Sequence, residues 1–249
     1  MSQDLATQLR EGTQQSHTMA ENTAFMKCFL KGIVEREPFR KLVANLYFVY
    51  TALEEELERY WNHPVVGPLR LPELDRKEAL AEDLAFYYGD DWQLEIEPLE
   101  AGKAYVARIR EVAQTEPALL VAHAYVRYMG DLSGGQSLRN IVRSALSLPP
   151  KEGTRFYEFD FIPTVEARRA FKGQYRDALN GLPVDDALAQ QIVAEANLAF
   201  KLNRDVMHEL EADVRAAIGE HVFDLITRQD RPGSTEHHKG HPVALVAAE

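Results

Sequence analysis

Apolar residues recur along this chain at the spacing of an α-helix, with few interruptions. From Asp4 to Ala20, Leu5, Leu9 and Ala20 fall on one side, and Thr13, Ser16 and His17 lie close to that stripe. After Asn22 the pattern resumes through Phe25, Met26, Phe29 and Ile33. Pro38 stands where a first-turn proline belongs, and Phe39 to Trp61 then carries Leu42, Leu46, Val49, Leu53 and Leu57 at helical spacing. A turn-rich connection over residues 62–72 leads to a predicted helix from Arg76 to Tyr88, closed by Gly89. The next opens near Pro98 and runs through Tyr105, Ile109 and Val112. Pro117 restarts the chain as one long helix to about Leu146. Residues 147–163 read as a loop whose aromatic run FYEFDF suggests a short strand, with no second strand to pair it. Helices follow from Thr164 to Asn180 and from Asp185 to about Ile226. From Arg228 the sequence is polar and aperiodic. The pattern predicts one all-α domain over residues 1–227 and a disordered tail over 228–249.

Composition narrows what such a domain does. A hydrophobic fraction of 45% and a charged fraction of 27% belong to an ordinary soluble globular protein. The net charge of −11 argues against nucleic acid and against an anionic membrane surface, both of which need bases. Bases that converge on one site are therefore local exceptions. Cys28 is the single cysteine, which excludes an intramolecular disulfide and a cysteine-based metal site. The N-terminus lacks a signal-peptide core, and Val243 to Ala248 is far too short an apolar run to span a bilayer. A cytoplasmic protein without a membrane anchor is expected.

The stretch YMGDLSGGQSL, from Tyr128 to Leu138, breaks the rules of its own helix. Each glycine in a helix interior costs about 1 kcal/mol relative to alanine, and this stretch contains Gly130, Gly134 and Gly135. Phosphate loops need a strand before such glycines and a helix start after them, and neither is present. Gly130 and Gly134 share one helix face. They allow either tight packing against another helix or a flat ligand lying on bare backbone. Gly135 widens the bare patch and offers a place to bend, and Asp131 sets a carboxylate beside it, which favours the ligand. A flat ligand with a reactive centre suggests heme, and so an axial histidine. Of eight histidines, His17 has the best surroundings. Glu21 lies one turn on, where it can orient the imidazole, and Thr13 and Arg10 lie one and two turns back on the same side. His123 projects near the face of Gly130 but sits seven residues upstream, about 10 Å along a helix axis.

The segments around these residues, 116–138 and 11–26, resemble the distal and proximal helices of heme oxygenases. The resemblance continues through residues 47–58, 171–182 and 195–210, and covers roughly residues 4–225. It implies a multi-helix fold that sandwiches heme between a proximal and a kinked distal helix. His17 would be the iron ligand and Glu21 its partner, with Gly130 and Gly134 against the distal heme face. Asp131 would head a water network supported by Tyr50, Arg127 and Asn203. Arg10, Lys172, Arg176 and Tyr125 would hold the propionates, and Thr13 lies on the same surface. Phe200, Met26 and Phe29 match pocket-lining positions and are equally well explained as core. The implied reaction opens heme b, at once cofactor and substrate, with O2 at the α-meso carbon. It yields biliverdin IXα, carbon monoxide and Fe2+. The soluble members of the family point to a monomer that takes electrons from a donor such as ferredoxin, for which Arg127, Arg139 and Arg143 are candidate docking bases. Two other readings compete. A di-iron oxidase would need paired Glu-x-x-His motifs, of which only the related Asp205–His208 is found. A heme carrier or sensor would keep His17 but have no use for Asp131.

Overall fold

The computed structural model describes residues 4–228, and among these every regular element is helical. The predicted tail therefore lies outside the described residues, except for Arg228. Helices α1 (Leu5–Gly12), α2 (Gln14–Glu21) and α3 (Ala24–Leu30) lead into the long α4 (Arg36–Arg59). They are followed by α5 (Lys77–Tyr88), the short α6 (Trp92–Glu95) and α7 (Glu100–Thr115). Next come α8 (Leu120–Ala124), a π-helical turn (Tyr125–Met129) and α9 (Gly130–Ala145). The last are α10 (Val165–Asn180), α11 (Asp186–Glu209), α12 (Glu211–Ile218) and α13 (Glu220–Thr227). Side-chain caps begin several of them: Asp4 accepts from the Thr7 amide, Thr23 from Met26, Thr164 from Ala167 and Asp185 from Leu188.

The apolar stripe of α4 is buried as its spacing requires, and Leu46, Val49, Leu53 and Leu57 pack into the core. Helix α4 lies against α5 and α7, α7 lies against α11, and α11 also carries α1, α2 and α8. Ala196 and Ala199 on α11 are fully buried, small residues where several helices crowd one. Helix α11 is thus the spine on which the N-terminal helices and, ahead of the glycines, α8 and the π turn are mounted.

Four details differ from the sequence pattern. The helix expected from Asp4 to Ala20 is interrupted at Thr13, whose backbone sits at φ −108°, ψ 0°. The Thr13 hydroxyl donates back to the Leu9 carbonyl at 2.7 Å, a bond that bends helices. The long distal helix departs from α geometry in a π turn ahead of the glycines, and α9 runs unbroken through Gly135. That turn adds a residue, which rotates everything after it by about 100° around the axis. Helix α11 ends at Leu210, and positive φ at Gly219 separates α12 from α13. FYEFDF forms no strand. Its backbone carries one 3₁₀ turn, Arg155–Tyr157, and the amides of Arg155 and Phe156 are taken by the buried Asp83 carboxylate at 2.8 and 2.9 Å. With those donors satisfied and Phe156, Tyr157 and Phe159 buried, the segment is a strap laid on α5 and α9.

Candidate active site

The proximal side is built on α2. His17 is partly exposed, with Nδ1 3.8 Å from Glu21 Oε1. That is ion-pair reach rather than a hydrogen bond, and it leaves Nε2 as the nitrogen turned away from Glu21. Phe200 of α11 sets its ring edge-on to the imidazole at 5.7 Å. Thr13 is buried, and its hydroxyl is engaged with its own helix, so its part is to shape the break before His17.

The distal side is built on the π turn and α9. Gly130 is exposed, and a Cβ placed on it would meet nothing within 4 Å. Gly134, one turn on, is half-buried. Gly135 does not belong to the open patch: its Cβ would lie 3.5 Å from Tyr157 of the strap, an ordinary packing contact. Mid-helix glycine facing open space has no packing reason, and the room is of the kind a flat ring on the backbone needs.

Behind that opening, four elements deliver one network. The Tyr50 hydroxyl, from α4, donates to Asp131 Oδ2. Arg127 Nε donates to the Tyr50 oxygen at 3.1 Å, and its NH1 donates to Asn203 Oδ1, from α11, at 2.7 Å. Its NH2 lies 3.8 Å from Asp131 Oδ1. Burial pushes the Asp131 carboxyl up from 3.8 to about 6, against the pull of the Arg127 charge and the Tyr50 hydrogen bond. Burial also raises the Tyr50 phenol well above its ordinary value. Desolvation works against the Arg127 charge, yet the fields of Tyr50 and Asp131 outweigh it and keep the guanidinium charged. The result is a fixed cation, a phenol that keeps its proton, and one carboxyl that titrates near neutral pH.

The expected basic residues lie on α1 and α10, which pack together. Arg10 lies in the last turn of α1, with its side chain 70% exposed and 3.3 Å from the neighbouring Glu11. Helix α10 packs on α1 and carries Lys172 and Arg176 one turn apart. Tyr125 is half-buried and lies within electrostatic range of Tyr175 of α10. The structure thus brings these expected residues onto adjacent helices.

The sequence pattern of the family described as Heme oxygenase matches residues 3–209. Heme oxygenase 2 of Synechocystis sp. PCC 6803 is 60% identical over 248 residues, covering 99% of each chain. The chain belongs to the heme oxygenase family. Heme oxygenase 1 of Nostoc sp. PCC 7120 is 50% identical over 95% of this chain and 98% of its own. The crystal structure of Synechocystis heme oxygenase-2 in complex with heme and NO is similar with a TM-score of 0.93, covering 99% of this chain and 100% of that one. Heme oxygenase from Leptospira interrogans, 46% identical, is similar at 0.80 over 83% of this chain and 100% of its own. Membership makes this chain an enzyme. None of its described helices is long and apolar enough to cross a membrane.

Some readings of this heme oxygenase are corrected by its structure. His123 does not share a face with Gly130, because the π turn between them rotates one away from the other. His123 is fully buried, with Nε2 3.0 Å from Glu195 Oε1. Arg108 grips the same carboxylate at 3.0 and 2.6 Å. The candidate docking bases are all engaged within the chain. Arg127 is in the network, Arg139 pairs with Glu158 at 3.0 Å, and Arg143 donates to the carbonyls of Leu148, Pro149 and Glu152. Both of the latter hold the strap. His208 pairs with Glu211 at 2.9 Å, and no group of three or more metal-capable side chains assembles among the described residues, so a di-iron donor set is missing. Sequence reading overlooked Asn197, which binds the α1–α2 break from α11. A polar residue on an otherwise packed helix face was its only signal.

Proposed function

We propose that this heme oxygenase holds heme b between α2 and α9 with His17 as the iron ligand, and opens it at the α-meso carbon to biliverdin IXα, carbon monoxide and Fe2+. Two similar Synechocystis structures are complexes with heme. The residues here fit that group. A partly exposed imidazole backed by a carboxylate suits iron, bare backbone at Gly130 suits a flat ring, and bases on α1 and α10 suit its two carboxylates. When bound, heme supplies the iron that activates O2.

The chain's own residues orient that chemistry and manage its protons. Glu21 and Phe200 fix the His17 ring on two sides. Gly130 and Gly134 give up side chains, so the reacting face meets backbone alone. Asp131, near its midpoint at about 6, can take or give a proton through water close to neutral pH. Tyr50 orients its Oδ2, and Arg127, anchored by Asn203, keeps the carboxylate form available. Arg10, Lys172, Arg176 and Tyr125 hold the propionates and so fix which edge of the ring enters first. Electrons come from a soluble donor such as ferredoxin, and the enzyme works as a cytoplasmic monomer. The lone cysteine, Cys28, is buried, in keeping with a reducing compartment.

The observation that carries this reading is the Asp131–Tyr50–Arg127–Asn203 network behind the open face of Gly130. The test adds heme, records the visible spectrum, then supplies reductant and O2. A Soret band that decays to biliverdin absorption is expected. A band that persists makes the protein a carrier, and no band at all removes heme from the account.

A further inference from the structure

Helix α11 meets the N-terminal helices along one face. Val193, Asn197 and Phe200 stand at i, i+4 and i+7 on it. Val193 lies under Gly12, where a Cβ would come within 2.5 Å of its Cγ1. Asn197 Nδ2 donates to the Gly12 carbonyl at 3.0 Å and to the Val193 carbonyl at 2.9 Å, while its Oδ1 accepts from the Ser16 hydroxyl at 2.5 Å. Phe200 meets the His17 ring. The three contacts follow the break in order: its last α1 residue, the first turn of α2, and the imidazole.

The break explains why an asparagine stands in the middle. An uninterrupted helix would use the Gly12 carbonyl for the Ser16 amide. At Thr13 the turn is disturbed, and that carbonyl is served instead by a side chain 185 residues away in sequence. A carboxamide has a donor end and an acceptor end, so one group can hold the outgoing α1 through Gly12 and the incoming α2 through Ser16. His17 is the next residue. The His17 amide keeps its bond to the Thr13 carbonyl at 2.9 Å, so the rotation of α2 about its own axis, and with it the direction of the imidazole, is tied to the Ser16–Asn197 contact in addition to that one bond of the ladder.

We propose that Asn197, acting through Ser16 and the Gly12 carbonyl, is a positioning residue that sets the direction from which His17 meets the heme iron. The proposal rests on His17 being the ligand. The experiment compares wild type with Ser16→Ala, Ser16→Thr, Asn197→Ala, the double Ser16→Ala/Asn197→Ala and His17→Ala. It reads the iron–imidazole stretch of the ferrous heme complex by resonance Raman, the rate of heme loss, and the melting of the heme-free protein. Ser16→Ala and Asn197→Ala are expected to move the stretch in the same direction and to release heme about 3- to 10-fold faster, the range of one net hydrogen bond. The double variant goes no further than Asn197→Ala, and Ser16→Thr keeps the wild-type band. A stretch unmoved in Ser16→Ala and Asn197→Ala but lost in His17→Ala overturns the proposal and leaves the ligand in place. Lower melting with an unmoved stretch overturns it too, as do fully additive effects in the double variant. A band that survives His17→Ala removes the ligand assignment and the proposal with it.

Discussion

Asp131 is a carboxyl that a pure packing argument would not place where it is. It is buried, it accepts from Tyr50, and it stands across from Arg127 at a distance that tunes rather than neutralises it. A group of this kind is suited to proton transfer because its two forms are close in free energy near the working pH. Asp131→Asn keeps the size and an acceptor for Tyr50 but removes the titration. Heme binding, read from the Soret band, should survive in it, while the biliverdin yield per unit time falls about 100-fold or more. A variant that makes biliverdin at the normal rate removes Asp131 from the mechanism. Asn203 illustrates the same economy one step back, since its Oδ1 holds Arg127 NH1 and thereby places the cation beside Tyr50.

Helices in this molecule are interrupted where the site needs them interrupted. The π turn at Tyr125–Met129 rotates α9 so that Gly130 faces open space and Asp131 faces Tyr50. Gly130→Ala separates the two demands placed on that helix. Its new Cβ meets nothing in the heme-free protein, and alanine favours the helix, so unfolding by urea should show up to about 1 kcal/mol of added stability. The same methyl group stands on the surface proposed for the heme, and heme affinity and turnover should both fall. At the other break, Gly12→Ala drives a Cβ to 2.5 Å from Val193 Cγ1 and should cost about 1–3 kcal/mol, measured the same way. Adding Val193→Ala should recover most of that loss, because the clash is with one methyl group; a purely additive pair would place the cost elsewhere.

Across the whole molecule, four buried carboxylates, Glu195 on one side and Glu54, Asp83 and Asp131 on the other, show opposite pH behaviour. Burial works against the Glu195 charge, but hydrogen bonds from His123 and Arg108 outweigh it and hold its pKa down at about 2. Its contribution is present above its ordinary 4.5 and is lost as pH falls toward 2. Burial raises Glu54 and Asp83 to about 7 and Asp131 to about 6. The folded state then holds protons that the unfolded chain has released, so stability falls as pH rises from about 4 to about 7. The heme-free enzyme should accordingly be most stable near pH 4, with urea midpoints lower at both pH 2.5 and pH 7.5. Glu195→Gln should weaken the decline on the acid side and Asp83→Asn the decline on the neutral side. Midpoints that rise steadily from pH 5 to 7.5 would contradict the assignment of these carboxyls as buried and poorly compensated.

Much of this was legible along the chain. Helical periodicity placed the elements, because a 3.6-residue repeat of apolar side chains has one stable use in a folded domain. The glycines with Asp131, and His17 with Glu21, were legible because local spacing decides what shares a helix face. What spacing could not supply were partners distant in sequence. Whether Arg139 and Arg143 face a donor or fasten a strap depends on where residues 148–158 come to rest. Whether His123 looks at the site or into the core turns on one extra residue in a π turn. The break at Thr13 is stabilised by Asn197, a residue of another helix whose side chain reaches back to it. Periodicity is a property of neighbours on a helix. Interruptions are paid for by contacts across the fold, and those exist only once α11 is in place.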